Sequence, residues 1–349
     1  MNDSLSTNTE SEVGTTTDLT LPGSIVADPN QLTHPTHEIS AESSSASFIE
    51  ANTIPARLDE IQNEHVIPVF VKDNEPAISQ ADFIETTYQA ITEIYPNDRV
   101  LTPSIRLSHP IKGRTPDAKF KPASQLEEWE KTLYYERMMF IFEIPTIQDE
   151  VDGNLLSLTV GGVKSYNQDN LYNKKGADEH FEVFVGFKNK VCSNLCVWTD
   201  GYLGDLKVTS VGQLKGAIKT LLETYNAVYH LAQLRAMTER QLTERQFAHF
   251  LGRCRMYQYL PIKHRDGITP LLLGDQQISA VCRDFYTDKN FSGDLNDRSI
   301  SLWQLYNLFT AANKSTYIDQ FLNRSVGAFQ LVEEIRFAMD GKRTSWYLS

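Results

Sequence analysis

The sequence predicts an α+β fold in which an antiparallel sheet, formed by the first half of the folded part, packs with a helix-rich C-terminal half. Three observations predict it. Apolar residues alternate with period two in stretches such as Phe181 to Phe187, whereas from Val211 onward they recur every three or four residues. Residues 1–55 hold eight acidic residues and no Lys or Arg in a Ser/Thr-rich background, the composition of a disordered acidic tail. The expected layout is that tail followed by one α+β domain over 56–349, strand-rich over 56–205 and helix-rich over 206–349.

Val66 to Val71 reads as a short extended entry. Ser79 then caps a helix whose Phe83, Tyr88, Ile91 and Ile94 share a face before Pro96 ends it. Val100 to Leu107 is strand-like and leads into a basic loop, His109 to Pro122, punctuated by Pro and Gly. After one or two helical turns around Gln125 to Lys131, Tyr134 to Ile144 is apolar at both parities, as in a strand covered on both faces. Leu155 to Val163 is a strand ending near Gly161-Gly162. In the next strand Phe181, Val183, Val185 and Phe187 face one way and Glu182, Phe184, Gly186 and Lys188 the other. A tight turn at Asn189-Lys190 returns the chain along Val191 to Trp198 as a hairpin.

From Val211 the spacing of Leu214, Ile218, Leu221, Tyr225, Val228, Ala232 and Leu234 predicts one long helix reaching Met237. Thr243 opens another helix with a near capping box, and Pro261 closes that region. Helices follow over Gln276 to Tyr286, Ser301 to Ala312 and Tyr317 to Met339, the last capped by Gly341.

At 349 residues and 41% hydrophobic, the chain can bury a sizeable core. Its formal net charge of −12 excludes a uniformly basic nucleic-acid coat, and no apolar run is long enough to span a membrane. With no signal-peptide pattern and only four cysteines, a cytoplasmic location is expected. The charge is unevenly placed. Outside the tail, 33 basic residues face 37 acidic ones. Ser104 to Pro122 holds five cations against Asp117 alone, and Lys207 to Arg265 holds ten against three acids.

No Lys-Ser/Thr pair follows the glycines at 161–162 or 176, so no Walker loop is present. Cys192 and Cys196 fall on one predicted strand face beside His180, but zinc-type paired spacing is missing and buried free thiols are the expectation. The acids Asp178, Glu179 and Glu182 with Lys188 do not match a nuclease spacing and read as a solvated strand face. His109, His230, His249 and His264 have no adjacent nucleophile. The remaining constellation is cation with aromatic. Phe184, Tyr166 and Tyr172 with Lys164, Lys174, Lys175 and Lys188 are residue types that stack bases and hold phosphates on a sheet, and Arg106, Lys112, Arg114, Arg253 and Arg255 would extend the groove.

Five stretches, among them SHPIKGRTPDAKFKPASQLEEWEKTLYYERM (Ser108 to Met138), GGVKSYNQDNLYNKKG (Gly161 to Gly176), FVGFKNKVCSNLCVWTDG (Phe184 to Gly201) and SLWQLYNLFTAANKSTYIDQFLNR (Ser301 to Arg324), resemble a bacterial family, domain of unknown function 3871. The resemblance runs from about Ile67 to the C-terminus. It implies a protein carried by conjugative transposons, plasmids and phages, and it is more distantly similar to phage/plasmid-like proteins of unknown function. It supplies no catalytic residue. Arg114, Trp129, Asn167, Asn194 and Asn307 lie within its motifs.

The preferred expectation is therefore a mobile-element accessory protein that binds nucleic acid, single-stranded DNA ahead of duplex, without catalysis, metal or cofactor. The alternative is a protein-interaction module that modulates a host or replication protein, with a protein partner or a second copy of the chain. A metal-dependent nuclease ranks third.

Overall fold

A computed structural model describes residues 47–64, 67–68, 78–169 and 178–349 of the chain. The expected disordered tail lies outside the described residues apart from its last nine, and so do Tyr172, Lys174 and Lys175. The folded body begins ahead of Ala56. Phe48 and Ile49 are buried, and strand β1 (Ile54–Ala56) pairs with a later strand.

The elements follow as α1 (Leu58–Glu64), β2 (Ile67–Pro68), α2 (Gln80–Ile94), β3 (Ser104–Arg114), β4 (Lys131–Val151), β5 (Asn154–Ser165), α3 (Tyr166–Asp169), β6 (Glu179–Asn189) and β7 (Leu195–Val208). The helical half holds α4 (Val211–Thr224), α5 (Ala227–Thr238), β8 (Gln241–Thr243), α6 (Glu244–Tyr259), α7 (Asp275–Thr287), β9 (Ser299–Ser301), α8 (Leu302–Asn313) and α9 (Ile318–Met339). The first seven strands form one antiparallel sheet in the order β1-β3-β4-β5-β6-β7, with β2 also on β3; β8 and β9 form a separate pair. The fold is α+β, as expected.

Both sheet faces are covered. On one, Phe140, Val160, Phe181 and Val185 meet Phe83 of α2 and Leu214 and Ile218 of α4, in a core that continues into α5, α6, α7 and α8. On the other, Met139, Ile141, Val163, Phe184 and Val197 meet Phe48, Ile49 and the first half of α9 through Ile318, Phe321 and Leu322. The alternation read along Phe181 to Phe187 is correct for direction, and both directions lead to core.

Four local expectations are corrected. The strand expected to end at Gly161-Gly162 runs on to Ser165. The two glycines instead permit close approach: a Cβ on Gly162 would lie 2.4 Å from the Phe83 ring, and one on Gly161 2.8 Å from the Phe184 ring. The basic loop starts later than His109, because β4 supplies a ladder for β3 as far as the pair Arg114–Lys131. The turn after β6 spans Lys190–Asn194, so Cys192 sits in it and not on a strand. The long helix breaks into α4 and α5: Tyr225 is extended, its hydroxyl 2.6 Å from His230 Nδ1, and the Asn226 side chain accepts the Tyr229 N–H at 2.9 Å to cap α5. The expected caps at Ser79 and Thr243 are complete capping boxes. Gly341, at φ +70°, donates to Ala338 O while Lys342 donates to Phe337 O, closing α9 as a Schellman motif.

Sheet and helices are joined by three buried amides. Asn194 Nδ2 donates to Asn307 O at 3.0 Å and to its Oδ1 at 3.3 Å, Asn189 Nδ2 approaches the same Oδ1 at 3.4 Å, and Asn307 Nδ2 donates to Trp303 O at 3.0 Å. Truncating Asn307 removes the shared acceptor and leaves two amides short of a partner inside the core. Urea denaturation of Asn307→Ala should show a loss of about 2–4 kcal/mol of unfolding free energy with the denaturant slope unchanged.

Candidate functional site

The cation–aromatic groove expected on the sheet does not assemble. Phe184 is fully buried under α9 and residues 48–49, so its ring offers no face to a base. Lys164 is buried on the opposite face, 2.7 Å from Glu179 and 4.0 Å from the Phe181 ring centroid. Lys188 lies on the Phe184 face and pairs with Glu143 at 3.1 Å. Arg114 is fully buried and donates to the carbonyls of Ala118, Lys119 and Lys121, bracing the β3–β4 loop. Lys112 is exposed on β3. Arg253 stacks on Trp346 at 4.9 Å and bonds the backbone oxygen of Ser349, and Arg255 pairs with Asp275 at 3.2 Å. Of the predicted set, the structure brings together Arg106 and Lys188, which line one cavity.

The solvated strand face is also corrected. Glu182 is buried and accepts from Gln168 Nε2 at 3.0 Å and Tyr202 Oη at 2.8 Å. Burial, with Asp319 adding a like charge, pushes its carboxyl up to about 7 against those hydrogen bonds. Asp319 is itself held by Arg137 at 3.2 Å. His230, fully buried among Phe187, Trp198, Tyr225 and Phe329, is driven down to about 3 by desolvation and stays neutral. All four cysteines are free; Cys196 and Cys254 are buried, Cys192 is half-buried and Cys282 is exposed. His180 contacts Asp205 at 3.3 Å, and among the described residues no three His, Cys, Asp or Glu side chains are placed to hold a metal ion.

A cleft of about 630 Å³ lies elsewhere, where three segments converge on the α8–α9 turn. Asn313 fixes this turn by donating from Nδ2 to Phe321 O and Ser325 Oγ, at 3.0 and 2.9 Å. The α7 segment is tied in by Gln277 Nε2 to Ser315 Oγ, at 3.2 Å, and the 47–56 strap by Glu50 and Ala51 N–H donors to Lys314 O, at 2.8 and 3.2 Å. Lining the cleft are the side chains of Asn52, Gln276, Thr316, Tyr317, Gln320 and Arg324. Arg324 is half-buried and donates to Thr316 Oγ1 at 3.1 Å, and burial lowers its pKa. Among the described residues no carboxylate pairs with it. The lining thus offers one guanidinium, amides that can both donate and accept, and the exposed ring of Tyr317, a set whose chemistry complements a polar or anionic group and that holds no nucleophile with its base among the described residues. Asp275 at the rim is the partner of Arg255.

Sequence reading missed this cleft because Tyr317, Gln320 and Arg324 carry no spacing motif. The available signal was their position in the Ser301 to Arg324 stretch. The family model described as "Domain of unknown function, B. Theta Gene description (DUF3871)" matches residues 31–348. The chain belongs to this family. No curated protein matches it, and no solved structure does.

A carboxyl that is easier to protonate folded than unfolded adds stability below the ordinary value of 4.5 and loses it as pH rises through about 7. Glu182→Gln escapes this loss. Its melting temperature should exceed that of the natural protein at pH 8, by the equivalent of up to about 3 kcal/mol, and the gap should close toward pH 4.5 in calorimetry.

Proposed function

We propose that this protein is a cytoplasmic accessory protein of a mobile element that binds single-stranded nucleic acid, without catalysis, in the cleft at the α8–α9 turn. One observation carries the reading: Arg324 stands half-buried, in ion-pair contact with no carboxylate among the described residues, beside the exposed Tyr317 ring and three amide side chains. A guanidinium suits a phosphate, an aromatic ring stacks on any base, and Asn52, Gln276 and Gln320 can bond base edges that only an unpaired strand exposes. Its overall acidity limits non-specific attraction to duplex, so binding depends on this local chemistry.

Titrating labelled single-stranded and duplex oligonucleotides with the full chain at two salt concentrations tests this. The single strand should bind more tightly, with affinity falling as salt rises. Arg324→Gln and Tyr317→Ala should each weaken it about tenfold. Absence of binding to either oligonucleotide at low salt overturns the reading.

A protein-interaction role is favoured by a different surface. The β3–β4 loop, braced by Arg114, presents Trp129 and Phe120 at 71% and 62% exposure, and Leu133, at the start of β4, is 51% exposed. Large side chains held rigidly in water mark contact surfaces. If this tip mediates self-association, Trp129→Ser should shift sedimentation toward the monomer at micromolar concentration, with the melting temperature unchanged.

A further inference from the structure

We propose that the cavity between the 47–56 strap and β3 binds a phosphate-class oxyanion through Arg106 and Lys188. The cavity, about 240 Å³, is lined by Ser47, Phe48, Ser104, Arg106 and Lys188 among others. Arg106 is partly buried, and its Nε and one Nη donate to Thr53 Oγ1 at 2.9 Å and Thr53 O at 2.7 Å. These are neutral acceptors. Among the described residues no carboxylate lies in ion-pair contact with it; Glu50 acts on it only at longer range, and burial lowers its pKa. Lys188 does not make up the deficit. It shares the single carboxylate of Glu143 with Lys190, and Glu143 also accepts from Ser157 Oγ at 2.9 Å. Burial opposes ionisation of Glu143, yet the two lysines and Ser157 hold its carboxyl below the usual range, so it is a full anion already claimed twice.

Three cations, Arg106, Lys188 and Lys190, thus stand against one contacting carboxylate at the margin of a sheet that is otherwise covered. Charge partly removed from water without a counter-charge is costly, and the cost is relieved when an anion enters. A tetrahedral oxyanion suits this cavity, since it can accept from a guanidinium and an ammonium at once. Arg106 is held by the Thr53 bonds on a strand paired with β1, and Lys188 by Glu143, so both cations are positioned before any ligand arrives. Phosphate of this kind is available free or as the terminal phosphate of a nucleic-acid strand.

The site does not depend on the cleft, and each can fail while the other holds. The full chain is melted in about 20 mM inorganic phosphate and in chloride of matched ionic strength. The expected result is a rise of about 2 °C or more in phosphate, abolished in Arg106→Gln and reduced in Lys188→Gln. Should Arg106→Gln fail to fold, Lys188→Gln decides, because Glu143 keeps Lys190. Equal melting in phosphate and chloride overturns the proposal, as does a phosphate shift of the same size in the natural protein and both variants. A 5′-phosphorylated oligonucleotide preferred over its 5′-hydroxyl counterpart, with the preference lost in Arg106→Gln, makes the strand end the source. Equal affinity for the two, with the phosphate shift present, makes free phosphate the ligand.

Discussion

The joint between Asn194 in the β6–β7 turn and Asn307 in α8 is the contact on which the rest of the architecture depends. Both amides are buried, so their hydrogen bonds must be made within the protein or lost. Because Asn194 Nδ2 donates to both the backbone and the side-chain oxygen of Asn307, the pair fixes how the turn meets the helix, which apolar contact alone leaves loose. Lys314, just past the end of α8, extends the joint. Its ammonium bonds Cys192 O in the same turn, and its own carbonyl receives the strap at residues 50 and 51. One short segment therefore sets the positions of the sheet end, the helical half and the chain's N-terminal approach.

This convergence explains where ligand-facing chemistry survives. Over the sheet, strap and α9 bury Phe184, and on the two sheet faces Lys164 is paired with Glu179 and Arg137 with Asp319, while Lys188 and Lys190 share Glu143. Cations lacking such partners occur where three segments meet without interlocking fully, at Arg324 and Arg106. Both are partly desolvated, which sharpens any interaction with an anion relative to an exposed lysine.

The sequence was legible where the signal is local. Capping at Ser79 and Thr243 needs only residues three positions on, the Gly341 cap needs only the preceding turn, and alternation along β6 assigns each side chain to a face. It was not legible where the answer lies far along the chain. Alternation cannot tell that Phe48 and Phe321 close over Phe184, so a core ring read as a stacking platform. The α4–α5 break escaped because Leu214, Ile218, Leu231 and Leu234 all feed one core, keeping helical spacing across a gap that only Asn226 marks. Arg114, read as a phosphate contact, is spent on loop carbonyls that no spacing rule connects to it.

Total charge says little about any one site on this protein. A net −12 describes the whole chain, and salt screens its effect beyond about 8–10 Å. At contact distance what counts is whether a given cation already has a carboxylate. Arg255 satisfies the sequence criterion of a basic stretch and is neutralised by Asp275, whereas Arg324 belongs to no basic stretch and has no such partner. An acidic protein can therefore keep sites for anions, provided its fold strands a few cations away from its many acids. In this chain the strap, α7 and the α8–α9 turn are each bound to neighbours through backbone and amide groups, and the carboxylates of Glu50 and Asp319 reach Arg106 and Arg324 only at longer range.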